Sequence, residues 1–170
     1  VKRRGIKENA LVCWIGDELG RNAAALGVLT KDWEGEKNIA LSIMENPNLY
    51  LGFIEINANS SIDCSDGLAF SLYQLIKDTK YGIKIDNNII DYSDEWAAKI
   101  SQINNIELSE LIFYGGEELG IVFTCSSKIY ETMKIKHGKD IKLLGVINDE
   151  DGVYYDGQKI ENKGWDYFNI

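Results

Sequence analysis

Ser61-Ile62-Asp63-Cys64-Ser65-Asp66-Gly67-Leu68 ends an apolar–polar alternation, sets two aspartates and a serine within four positions, turns on a glycine and opens a helix. Helical spacing continues through Leu68, Leu72, Leu75 and Ile76 and predicts an amphipathic helix to about Asp78. On a short strand Asp63 and Ser65 share a face, because side chains alternate with period two. Asp66 follows at the mouth of the helix, where unpaired backbone N–H groups favour anions. Three hard oxygen groups and a positive helix end thus converge on one point, which suits a Mg²⁺ ion and a phosphate. Ser and Asp ahead of a helix are also common N-caps, and capping accounts for Ser65-Asp66 with no ligand. A cap needs one acceptor where this stretch supplies three.

The chain has 170 residues, a formal charge of −9, 45% hydrophobic and 26% charged residues, which predicts one soluble globular domain with a real core. The excess of acid excludes non-specific binding to nucleic acid or an anionic membrane. The strongest apolar run, Ala10 to Ile15, is strand-sized, so no membrane span is expected. Cys13, Cys64 and Cys125 are odd in number, widely spaced and set in apolar runs, as reduced core thiols of a cytoplasmic protein would be. His137 is the only histidine and falls where a helix stops. Ser–His–Asp catalysis and a multi-histidine metal site are therefore excluded, leaving carboxylates, hydroxyls, basic residues and bound cations to carry any chemistry. The chain begins at Val1 without a Met, as a fragment or a processed product would.

Outward from the central stretch, Ala10–Ile15 reads as a strand, Gly16 to Gly20 as a glycine-bounded loop and Asn22–Leu29 as a helix. That loop suits either a phosphate cradle or close packing. Asp32 to Asn38 reads as a loop, and Asn46-Pro47 as a helix start, followed by residues from Tyr50 to Ile56 of strand-like propensity. Tyr81–Asp86 reads as a strand, and Ser93-Asp94-Glu95 as the cap of a helix through Ile103. Phe113-Tyr114-Gly115-Gly116-Glu117-Glu118 precedes a strand from Leu119 to Thr124, either as a turn with two solvated acids or as a loop brought close to a ligand. A helix of about ten residues after Ser126-Ser127, a strand Ile141–Ile147 and a hairpin around Asp156-Gly157 complete the order. The aromatic end, Gly164 to Phe168, reads as a clamp or as a closure of the core. Strands and helices mix without strict alternation, so the expected class is α/β of the α+β type, a mixed sheet with helices packed on one side.

These landmarks, in this order, resemble the thiamine-monophosphate kinase family of the aminoimidazole-ribonucleotide-synthase-related (AIR synthase-related) superfamily, over its C-terminal half. Ile62-Asp63-Cys64-Ser65-Asp66-Gly67-Leu68 matches the family's Ile-Asp-x-Ser-Asp-Gly-Leu, its most specific element. Lys2-Arg3-Arg4-Gly5-Ile6-Lys7 resembles Thr-Arg-Ser-Gly-Ala-Lys, and Gly115 to Thr124 is similar to Gly-Gly-Glu-Asp-Tyr-Glu-Leu-x-Phe-Thr. Gly164-Trp165-Asp166-Tyr167-Phe168 is similar to the terminal Gly-Tyr/Trp-Asp-His-Phe. The departures are Glu118-Leu119-Gly120 for Asp-Tyr-Glu, Arg21 for a common Asp, and Tyr167 for His.

The resemblance implies that residues 1–170 form an AIR synthase-related C-terminal domain whose ATP-binding and dimerising N-terminal half lies outside this chain. It implies transfer of the ATP γ-phosphoryl group to thiamine monophosphate, with Mg²⁺ on Asp63 and Asp66, ATP against Arg3 and Ser65, and substrate against Glu117 and Trp165. No residue is implied as a catalytic acid or base. It further implies a homodimer in the full-length protein, a cytoplasmic place, and no nucleic-acid or membrane partner. Two rivals remain: another ATP-dependent enzyme of the superfamily with a different small-molecule substrate, and a non-catalytic nucleotide- or thiamine-phosphate-binding paralogue.

Overall fold

Leu11–Ile15 is apolar at every position, the signature of a strand covered on both faces, and it becomes β1 at the middle of a mixed sheet. The computed structural model describes residues 4–48 and 57–164. Arg3, Trp165 and the strand-like run from Tyr50 to Ile56 fall outside them. Seven strands among the described residues run in the order β2-β4-β1-β5-β3-β6-β7. They are β1, β2 (Ser60–Asp63), β3 (Gly82–Ile85), β4 (Ile121–Cys125), β5 (Ile141–Asn148), β6 (Val153–Tyr155) and β7 (Gln158–Lys159). The β3–β6 pair is parallel and the other five are antiparallel, so the sheet is mixed as expected.

The helices are α1 (Arg21–Thr30), α2 (Lys37–Glu45), α3 (Leu68–Ile76), α4 (Glu95–Ile103), α5 (Leu108–Tyr114) and α6 (Ser127–His137). Leu68, Leu72 and Leu75 of α3 and Ile112 of α5 pack on Val12, Trp14, Ile62, Val122 and Ile83 of the sheet. Ala23, Ala24, Val28, Ala40, Ile43, Ala97 and Ile100 then join α1, α2 and α4 to Leu111 of α5. The other side chains of the same strands, Cys13, Ile15, Phe123 and Ile141, lie under Met133 of α6. The second face is therefore covered too, by the helix whose Ser126 hydroxyl accepts the Ile129 N–H as its N-cap.

Several local expectations hold. Asp94 caps α4 through Ala97 N–H at 3.0 Å, and Asp156 and Gly157 take φ of 49° and 74° in the β6–β7 turn, as a type I′ hairpin requires. The three cysteines are buried thiols. Two readings change. Residues 37 and 38, read as loop, begin α2, whose buried positions are only Ala40 and Ile43. Asn46 then ends that helix rather than starting one, donating its amide to Ser42 O at 2.8 Å.

Candidate functional site at the β2–α3 turn

β2 and β4 pair antiparallel with Asp63 opposite Ile121, so the chain leaves β2 where it enters β4. That register alone brings the turn 64–67 against the loop 115–120. Two backbone bonds fasten them: Cys64 N–H to Gly120 O at 3.0 Å and Glu117 N–H to Ser65 O at 2.7 Å. Gly67, at φ 106°, lies so close that a Cβ would meet Gly115 O at 3.0 Å. Glycine is required there both by the backbone angle and by the space. The Ile-Asp-x-Ser-Asp-Gly and Gly-Gly-Glu stretches, over forty positions apart in sequence, form one surface.

Asp63 is exposed at the end of β2, and the Ser65 hydroxyl donates to its Oδ2 at 3.2 Å; the two meet through the turn, since the strand stops at Asp63 and does not run on to Ser65. The competing account, capping, does not hold for α3. Its N-cap position is Gly67, which offers no side-chain acceptor to its first N–H groups. Neither Ser65 nor Asp66 is used to end the helix. The Ser71 hydroxyl donates instead to Asp63 O at 3.1 Å, tying the strand end to the helix.

Glu117 stands at φ 66°, and its carbonyl accepts the Asn22 side-chain amide at 2.5 Å, which brings α1 to the same place. Asn22 carried no signal in the sequence beyond lying next to a glycine loop. Glu118, readable as a solvated acid, is 4% exposed. Burial pushes its carboxyl up to about 8, with Asp17 and Asp94 adding repulsion and the N–H groups of Ala23 and Gly20 opposing. Burial likewise raises the Cys64 thiol, so this cysteine is a packed thiol rather than a nucleophile.

The far end of the described chain also arrives here. Gly164 packs on Asp66 O and Phe70, Glu161 N–H donates to the Tyr114 hydroxyl at 3.2 Å, and Lys163 Nζ sits 4.2 Å over the Tyr114 ring. Arg4, beside Arg3, makes a surface ion pair with Asp78 at 3.4 Å.

Among the described residues no three His, Cys, Asp or Glu side chains gather as a metal cage. The donor set is two carboxylates and a hydroxyl, which suits Mg²⁺, an ion that keeps waters and takes one or two carboxylates with substrate phosphates. Asp63 and Asp66 are the residues that would hold it.

No family model matches the chain. Curated relatives do. Over 175 residues it is 30% identical to the thiamine-monophosphate kinase of Pyrococcus abyssi, with 97% of this chain and 52% of that protein aligned. Over 161 residues it is 26% identical to that of Aquifex aeolicus, covering 91% and 51%. This chain is similar to thiamine-monophosphate kinases. It spans about half the length of these relatives. Among solved structures, the thiamine monophosphate kinase of Aquifex aeolicus superposes at TM-score 0.72 and 23% identity, covering 94% of this chain and 54% of that chain. A structure described as AaThiL complexed with AMPPCP and TMP gives 0.75 at 24%, over 99% and 54%. The hydrogenase maturation protein HypE in complex with ATP gives 0.61 at 9%, over 86% and 44%. These likenesses show the fold, shared with those structures. Among the described residues no helix is long and apolar enough to cross a membrane.

Proposed function

We propose that residues 1–170 are the C-terminal domain of an ATP-dependent kinase that converts thiamine monophosphate to thiamine diphosphate. The observation that carries the reading is the meeting of Asp63, Ser65 and the Glu117 loop in the turn that also carries Asp66, ahead of a helix whose N-cap is a glycine. Its support from relatives is the family similarity above and the neighbour whose structure holds AMPPCP, an ATP analogue, together with TMP.

The chemistry fits the residues. A phosphate oxygen of the acceptor attacks the γ-phosphorus of ATP, the bond from that phosphorus to the β-bridging oxygen breaks, and ADP departs. The attacking oxygen is already anionic near neutral pH, so no general base is needed, and none is assigned. The obstacle is repulsion between two polyanions. Mg²⁺ held by Asp63 and Asp66 would supply charge neutralisation. Ser65 orients Asp63 through its hydrogen bond and lies within reach of a phosphate, while Arg3 contributes a fixed positive charge toward ATP. Glu117 and Trp165 hold the acceptor, the indole face suiting its thiazolium cation. The remaining Asp ligands, most of the nucleotide site and the homodimer surface belong to an N-terminal half, and the protein works in the cytoplasm.

The test is thiamine diphosphate and ADP formation from ATP, Mg²⁺ and thiamine monophosphate by the natural protein that contains this chain. Stoichiometric products are expected, with none above background from the 170 residues alone. ADP formation with some other small acceptor, and none with thiamine monophosphate, would move the assignment to a different enzyme of the superfamily. Binding without turnover of any acceptor would make it a nucleotide-binding paralogue.

A further inference from the structure

We propose that Glu118 is a positioning residue of the site: its buried carboxyl group anchors the 115–120 loop to the first turn of α1 and thereby sets where Glu117 stands against the β2–α3 turn. The N-cap of α1 is Gly20, which offers no side-chain acceptor to the helix's first N–H groups. An acceptor comes from far along the chain, Glu118 Oε1 at 3.5 Å from the Ala23 N–H. A helix needs its first donors satisfied, and a buried carboxyl group that keeps its proton still accepts through its carbonyl oxygen.

What Glu118 gives α1, it also imposes on its own loop. Its two neighbours, Glu117 and Leu119, both hold left-handed backbone, at φ 66° and 50°. Neither is glycine, and such residues keep that conformation only where the surroundings over-determine it. The surroundings here are specific. Glu117 N–H is fixed on Ser65 O, Glu117 O on the Asn22 amide, and Gly120 O on Cys64 N–H. Glu118 lies between these fastenings in sequence and is buried at 4% exposure. Asp17 and Asp94 face the same region and share Arg21, at 3.7 and 3.9 Å, so the buried acid sits beside a partly neutralised acidic pair. The loop's aim therefore depends on one internal anchor, and Glu117, one residue away, is the group it aims.

The inference rests on the proposed kinase reading only for its kinetic arm, and its structural arm stands alone. Glu118→Met keeps the volume and removes the acceptor, whereas Glu118→Gln keeps an acceptor oxygen in the same place. In the 170-residue chain, hydrogen exchange resolved by residue should show the Glu117 and Ala23 amides exchanging at least about tenfold faster in Glu118→Met, with Glu118→Gln near wild type and the β1 amides unchanged in both. In the natural protein containing this chain, Glu118→Met should raise KM for thiamine monophosphate about tenfold and leave KM for ATP within about twofold, and Glu118→Gln should restore most of it. Should Glu118→Met not fold, Glu118→Asp, which withdraws the carboxylate by one methylene, is read in the same two ways. Wild-type exchange at Glu117 in the variant that lacks the contact would overturn the anchor. Faster exchange with both KM values unchanged would overturn the positioning role. Absence of kinase activity in the wild type would sink the functional reading and leave the exchange result to decide the anchor.

Discussion

Two glycine-bearing loops back onto Trp14, and they use their polar groups in different ways. A Cβ on Gly16 would lie 2.7 Å from the indole, and one on Gly120 would meet the same ring. In the loop 16–20 the polar groups turn inward. Trp14 Nε1 donates to Asp17 O at 3.0 Å, buried Lys142 donates to Gly16 O at 2.9 Å and to Asp17 O at 3.1 Å, and Leu19 N–H is bonded to Tyr92 O. A phosphate cradle needs backbone donors left for the ligand, and here the Gly16 and Leu19 N–H groups are already bonded to Asp140 O and Tyr92 O. This loop is a packed brace. The loop 115–120 uses its backbone to hold the β2–α3 turn, and Asp63 beside it remains exposed. Similar glycine-rich text thus gives a brace where a buried lysine holds the loop's carbonyls, and a site where the loop fastens a turn that leaves Asp63 exposed.

The largest expected effect breaks the site half of that comparison. In the natural protein, Asp63→Asn and Asp66→Asn should each lower kcat by at least about 100-fold, since an amide neither binds Mg²⁺ well nor offsets its charge. Melting temperature should change little, because neither side chain caps α3. Normal turnover by Asp66→Asn would remove it from the metal set.

The brace half breaks through stability instead. Lys142→Met leaves the buried Gly16 carbonyl without its charged donor, while Asp17 O keeps Trp14 Nε1, and should cost about 1–3 kcal/mol. Urea unfolding of the 170-residue chain measures it, and an unchanged midpoint would mean that water replaces the ammonium. Gly120→Ala should cost about 1–3 kcal/mol by driving a methyl into the fully buried Trp14 ring. Because Gly120 also follows Glu117 and Leu119 in the site loop, this variant should lower stability before it changes substrate affinity.

The contrast between the loops also marks what the sequence could carry. Asp63, Ser65 and Gly67 were legible because their meaning is local: a strand period, a turn and a helix start within eight positions. The strand at Leu11–Ile15 was legible because burial on both faces writes itself as an unbroken apolar run. Helix α2 was not, since it buries only Ala40 and Ile43 and exposes Ile39 and Leu41, which blurs the helical period. The covering of the second face by α6 was not legible either, because which face a helix takes depends on a connection and not on its own pattern. Glu118 was hidden for the same reason. Adjacent Glu117 and Glu118 read alike, and only the docking of α1 makes one of them a buried anchor.

The smallest effect sharpens the comparison by sign. Glu118 ionises near 8 in the folded chain against 4.5 for an ordinary glutamate, because burial disfavours its charge. Between those values the folded state keeps the proton that the unfolded chain has released, so it is the folded state that binds more protons. Stability should therefore fall as pH rises through that window and stop responding to Glu118 above it, where both states are ionised. Lys142 leans the other way. Burial lowers its folded value below 10.5, so in the alkaline range just under that value the unfolded chain holds the extra proton and stability should rise with pH. Each slope belongs to one side chain and is read as the difference in melting temperature between wild type and a variant that cannot titrate. Glu118→Gln should flatten the decline between about 4.5 and about 8 without touching the alkaline limb, and Lys142→Met should remove the alkaline rise without touching the decline. Curves for Glu118→Gln and wild type that run parallel through the acid-to-neutral window would show that the acid in the site loop is solvated, and the two loops would lose the difference drawn between them.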